Sequence, residues 1–170
     1  HPIHGFDLET VRKKAIVVRR AAEGEAMKTL DGVERKLSAD DLVIADGEGP
    51  VALAGVMGGE GSGISDATSR VLVECAYFQP RGVRRSARRH GMHTESSHRF
   101  ERGVDPGDVV DVLTETARLL CAVAGGRAAE LPNVIGSGPH RREAIELRKP
   151  TMDALLGVGE QATCGQPPVA

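Results

Sequence analysis

Aromatic residues are scarce in this 170-residue chain: no tryptophan, one tyrosine and three phenylalanines. That argues against a surface that grips single strands by stacking bases on rings, each stack being worth about 1–3 kcal/mol; phosphate contacts remain open. Cysteine is equally sparse. Cys75, Cys121 and Cys164 are odd in number and far apart, so they form neither a disulfide framework nor a CxxC metal knuckle, and they read as reduced thiols. There is no apolar run of about 18 residues to cross a bilayer, and the opening HPIHGFDLE lacks a basic segment followed by an apolar one. The expectation is a soluble, cytoplasmic chain with no membrane partner. Also missing are GxxxxGK[ST], GxGxxG and GxSxG, which removes the motif basis for nucleotide binding and for a serine nucleophile elbow.

What is present describes a folded domain. Hydrophobic residues make up 40% and charged residues 27% of the chain, ordinary globular values that permit one sizeable core. The 21 glycines point to many tight turns. The net charge of −2 is unevenly spread, for residues 81–102 carry +5. Such a patch can attract a polyanion or simply face solvent.

The first half reads as strands: AIVVRR, a hairpin at MKTLDGVERKL with Asp31-Gly32 as its two left-handed positions, then LVIAD, VALAGVM and VLVECAYF. The nearly continuous apolar runs Val51–Met57 and Val71–Phe78 are expected to be central strands covered on both faces. Pro80 opens a helix through Arg89, closed by Gly91. A second helix starts at Asp105-Pro106 and ends at Gly125-Gly126, with Val109, Leu113, Leu120 and Ala124 along one packed side. HRREAIELRKPTMDALLGVG suggests a strand and a short helix, and QATCGQPPVA has loop composition. The fold class is α+β, layered, with a strand-rich centre flanked by helices.

Glu74, within VLVECAYF, is expected to be largely dry. An unpaired buried carboxylate costs several kcal/mol or is neutralised, so it needs either one of the nearby arginines or a hydroxyl brought by a ligand. The glycines of AGVMGGEGSG, Ala54 to Gly63, allow close backbone approach to a phosphate or oxyanion, or merely make a turn. His90, His93 and His98, with Cys75 or Glu95 added, match no common zinc spacing, so hydrogen-bonded or solvated histidines are the better reading. His4, Thr94 and Ser96 complete the candidates.

In order, H-x-F-D at His4 to Asp7, IVVRRAAEGE, TLDG, DLVIAD, LAGVMGGEGSG, VLVECAYFQP and ARRHGMHTESSHRFERGVDP form a series whose order and spacing are specific. The chain resembles the phenylalanine–tRNA ligase family, in particular the central B3/B4 editing module of the bacterial-type beta subunit, over about residues 1–130. The resemblance implies hydrolysis of tyrosine wrongly esterified to tRNA(Phe), with aminoacylation left to an alpha subunit and no ligase activity from this chain alone. It places site residues on His4 (catalytic, as base or positioner) and on Gly55, Gly58, Glu74, Thr94 and Ser96 (substrate-binding), with Glu74 reading the tyrosine hydroxyl. Many relatives carry alanine where Ser96 stands. Arg84, Arg85, Arg88 and Arg89 are expected RNA contacts.

The resemblance further implies no metal or cofactor for this domain, since ATP and magnesium belong to the synthetic site of the parent ligase, a heterotetramer of two alpha and two beta chains. Residues 1–130 are expected to be the editing domain, truncated at its N-terminus, and residues 131–170 a linker and the incomplete start of the next domain. The competing expectations are a noncatalytic RNA-binding or subunit-assembly module and a freestanding trans-editing protein.

Overall fold

The computed structural model describes residues 1–128, 134, 136 and 144–157, in two compact units, His1–Pro139 and His140–Ala170. The expectations for a linker after residue 130 and for the QATCGQPPVA tail fall largely or wholly outside the described residues.

The first unit is α+β, as its patterning implies. Strands β1 (Ile3–Asp7), β2 (Val17–Arg20), β3 (Ala26–Lys28), β4 (Glu34–Lys36), β5 (Leu42–Ala45), β6 (Pro50–Leu53), β7 (Met57–Gly58) and β8 (Val71–Cys75) are followed by helices α1 (Pro80–Arg89), α2 (Glu95–Phe100) and α3 (Val109–Ala124). All pairings are antiparallel, in a four-stranded sheet of order β2-β5-β6-β7 and two-stranded sheets β1-β8 and β3-β4. Val43, Ile44, Ala52 and Leu53 of the central strands β5 and β6 are buried together with Val83 and Ala87 of α1 and Phe100 of α2. Phe78 and Phe100 meet edge to face with centroids 5.1 Å apart, a geometry worth about 0.5–1.5 kcal/mol beyond burial.

Several local expectations need correction. β8 is not central: it stops at Cys75 and pairs only with β1, its residues half-buried or exposed. Its apolar composition reflects packing on one partner strand and α3, rather than a place inside a larger sheet. In the β3-β4 hairpin only Gly32 has positive φ (77°); the Gly32 amide donates to Thr29 O and the Thr29 amide to Val33 O. That is a type I turn followed by a left-handed glycine, which needs one such residue where a type I′ turn needs two. The α3 helix begins with a 3₁₀ turn at Pro106–Asp108, where the Asp105 carboxylate accepts from the Gly107 amide, and none of its residues is fully buried, Leu119, Leu120 and Val123 being exposed.

Helix α1 ends as its sequence prescribes. Gly91 takes φ 62°, its amide donating to Arg88 O and that of Met92 to Ala87 O, the paired bonds of a Schellman cap. Helix α2 is absent from the sequence reading. Its first turn is held by a capping box in which Thr94 Oγ1 accepts from the Ser97 amide at 3.0 Å and Ser97 Oγ from the Thr94 amide at 3.1 Å. In the second unit, α4 (Lys149–Leu156) matches the expected short helix, ending at left-handed Gly157. Residues 144–148 carry no strand.

Candidate functional site

Antiparallel pairing of β1 with β8 sets His4 directly opposite Glu74. Residues opposed in this way share a sheet face, their Cβ atoms about 4.5–5.5 Å apart. Facing them, the turn between β6 and β7 contributes Gly55, Val56, Met57 and Gly58, and the start of α2 contributes Thr94, Glu95 and Ser96. The result is a cavity of about 270 Å³ whose apolar wall includes Ile44, Leu53, Phe78 and Phe100. All six residues implied by the resemblance, His4, Gly55, Gly58, Glu74, Thr94 and Ser96, line this one space. Leu30 and Ile3 also line it, and no chemical signature in the sequence marks them.

Glu74 has no hydrogen-bond or ion-pair partner among the described residues. The alternative of an arginine partner is therefore excluded there, and burial pushes the carboxyl up to about 7. His4 packs edge-on against Phe6, with centroids 4.5 Å apart. Its Nε2 is buried without a hydrogen-bond partner, and burial lowers its pKa, so the ring is neutral at pH 7.

The two candidate hydroxyls are already engaged. Thr94 Oγ1 donates to Val56 O at 2.8 Å while capping α2, and Ser96 Oγ donates to Gly55 O at 3.1 Å. They tie the α2 N-terminus to the glycine turn, and neither is hydrogen-bonded to His4.

The glycines answer to protein packing. Gly55 has φ 71°, and a Cβ there would stand 3.0 Å from both Phe78 and Val83. At Gly58 a Cβ would lie 2.5 Å from His4 Cε1. The Gly59 amide, a candidate phosphate donor, instead donates to Val51 O at 2.7 Å. Gly58→Ala is accordingly expected to push the His4 ring aside, with overpacking that costs about 1–3 kcal/mol. Adding His4→Ala should recover most of that loss. Denaturant melts of the two single variants and the double variant measure the coupling, and additive effects would show that the contact does not matter.

The histidine-rich segment disperses. His93 and His98 are exposed, whereas His90 Nε2 lies 2.8 Å from Asp41 Oδ2. Asp41 is fully buried (0% exposed) and also accepts from Ser86 Oγ at 2.7 Å, from the Ser38 amide at 3.0 Å and from Arg89. Burial opposes ionisation of Asp41, but the Ser38, His90 and Ser86 hydrogen bonds outweigh it and hold its pKa below the usual carboxylate value. Arg89, itself exposed, thus forms an ion pair with the buried Asp41. Arg84, Arg85 and Arg88 remain exposed. Among the described residues no group of three or more His, Cys, Asp and Glu could hold a metal ion, and no helix is long and apolar enough to cross a membrane.

A side-chain-sized pocket between a strand pair and a glycine turn, with an unpartnered carboxyl in its wall, is the candidate site of this α+β domain. A family model described as "B3/4 domain" matches residues 1–125, and the chain belongs to that family. It is 49% identical over 158 residues to the phenylalanine–tRNA ligase beta subunit of Geobacter sulfurreducens, covering 93% of this chain and 20% of the relative. The beta subunit of Anaeromyxobacter dehalogenans is 55% identical over 126 residues, covering 74% and 16%, and that of Pectobacterium atrosepticum 45% over 157 residues, covering 92% and 20%. The chain spans about a fifth of the length of these curated relatives.

Proposed function

We propose that this chain is the editing module of a phenylalanine–tRNA ligase beta subunit, hydrolysing the ester of tyrosine wrongly attached to tRNA(Phe). The observation that carries this reading is the partnerless Glu74 carboxyl on the cavity wall, directly across the strand pair from His4. A buried acceptor without an internal donor favours a ligand that brings one, and the phenolic hydroxyl is the group that separates tyrosine from phenylalanine. The cavity, at about 270 Å³, lies just below the roughly 300–1,000 Å³ typical of ligand sites, which suits an amino-acid side chain.

In this reading the tyrosyl ring packs on the apolar wall with its hydroxyl donating to Glu74, and the ester lies toward the glycine turn. Water is the nucleophile, because the Thr94 and Ser96 hydroxyls are committed to backbone carbonyls and lack a base. Neutral His4 positions that water or the terminal ribose, or accepts the water proton. The reaction calls on no metal or cofactor. Synthesis, with its ATP and magnesium, falls to the complete cytoplasmic ligase of two alpha and two beta chains.

With the domain in a complete beta subunit alongside its alpha partner, and ATP omitted to prevent recharging, tyrosine release from mischarged tRNA(Phe) is expected to outpace phenylalanine release from the correct pair. Equal rates would overturn the assignment.

A further inference from the structure

Helix α1 has two opposed faces. Val83, Ser86 and Ala87 are buried, and His90 continues that row against Asp41. On the other side stand Arg81, Arg84, Arg85 and Arg88, all exposed. Their i, i+3, i+4, i+7 spacing puts them in a single stripe, about 10 Å long at 1.5 Å per residue.

Most other arginines of the domain are neutralised. Arg19, Arg35, Arg70, Arg99, Arg102 and Arg118 each meet a carboxylate. The four stripe arginines have no hydrogen-bond or ion-pair partner among the described residues, and no acidic residue occurs between Cys75 and Thr94. The positive charge of residues 81–102 is therefore displayed in a row instead of being quenched.

We infer that the Arg81/Arg84/Arg85/Arg88 stripe is a docking track for the phosphate backbone of the tRNA whose 3′ end enters the cavity. The inference rests on the editing reading for the identity of the RNA. The helix follows directly from the cavity wall: Phe78 lines the cavity three residues before Arg81, and Val83 packs against Gly55. A polynucleotide suits the stripe better than a protein or a membrane does. Protein interfaces centre on buried aromatic or apolar anchors, and membrane-bound helices insert an apolar face. Here the apolar residues of α1, Val83 and Ala87, are both buried on the opposite side. Arginine forks fit phosphate oxygens in paired geometry, and a stripe of this length spans about three nucleotide rises of about 3.4 Å.

The test is fluorescence anisotropy of the 170-residue chain with uncharged tRNA(Phe) over a salt series, which reads binding without hydrolysis. Four phosphate contacts predict a loss of affinity on the order of 10²-fold between 50 and 200 mM salt. The R81Q/R84Q/R85Q/R88Q variant should bind more weakly at low salt, with its log–log salt slope reduced by about 3 to 4. The corresponding four-lysine variant, which keeps the charge, should retain most of the slope. Circular dichroism should show the same fold for all three proteins, the side chains being exposed.

Unchanged affinity and slope in the glutamine variant would overturn the inference. So would absence of tRNA binding by the unaltered chain, or binding to phosphatidylserine vesicles or an acidic protein in place of tRNA. Glu74→Ala separates the two proposals. It should bind tRNA like the unaltered chain, so loss of the stripe effect counts against the track alone, and loss of tyrosine selectivity in deacylation bears on the editing site alone.

Discussion

Replacing Glu74 with alanine is expected to collapse the preference for tyrosyl over phenylalanyl ester. For a protonated carboxyl, an unmet hydrogen bond is worth about 1–3 kcal/mol, at most roughly 10²-fold; with the carboxylate ionised, discrimination of this kind approaches about 10⁴-fold. Selectivity should therefore rise as pH passes about 7, where Glu74 ionises, and deacylation rates for both esters across that range measure it. Stability carries the same signature with the opposite consequence. The folded carboxyl keeps its proton up to about 7 while its ordinary value is 4.5, so the native state binds more protons in that window and stability falls as pH rises through it. At about 1.4 kcal/mol per pH unit, the ionised group costs the fold on the order of 3 kcal/mol above the window. Glu74→Gln should thus stabilise the domain by about that much at pH 8 and by almost nothing at pH 4 in urea melts. Equal effects at both pH values would show that the carboxyl is not desolvated.

Asp41→Ala is expected to have the largest effect on stability, a loss of about 3–5 kcal/mol. The buried carboxylate is held by Arg89, His90, Ser86 and the Ser38 amide, and its removal takes that acceptor from all four, Arg89 alone keeping another carboxylate in Asp40. Its depressed pKa makes this contribution complete above the usual carboxylate range and lost as pH falls through the lower folded value. Asp41→Asn should recover part of the loss by keeping an acceptor. Denaturant melts near neutral pH give the size, and a change below about 0.5 kcal/mol, typical of surface substitutions, would show that the knot is not structural. Because the knot fixes the end of α1 to the loop before β5, its loss should also unseat that helix.

Site chemistry was more legible in the sequence than site geometry. Glu74 stood out because a carboxyl within an apolar strand demands an explanation, and the structure leaves it without an internal partner. Helix α1 was readable to its last residue, since Pro80 and Gly91 impose backbone conformations that few other residues replace. Helix α2 was hidden because at 6 residues it is too short for hydrophobic periodicity, its one signal being the Thr94–Ser97 capping pair. The role of Asp41 could not be read either. Its partners Ser86, Arg89 and His90 lie more than 40 residues away, and spacing along a chain carries no record of such a meeting. The glycines of Ala54 to Gly63 carried two readings, a turn and a close backbone approach. At Gly58 the close approach is real, and the protein group that makes it is His4.

That contact places the His4 ring by shape alone. Imidazole tautomers are ordinarily selected by whatever hydrogen bond the second ring nitrogen makes, and no such bond to His4 is formed among the described residues. Its orientation is thus built into the fold, while the location of its proton is left to whatever enters the cavity. The same imidazole can donate to a bound group or accept from one without any rearrangement of the protein.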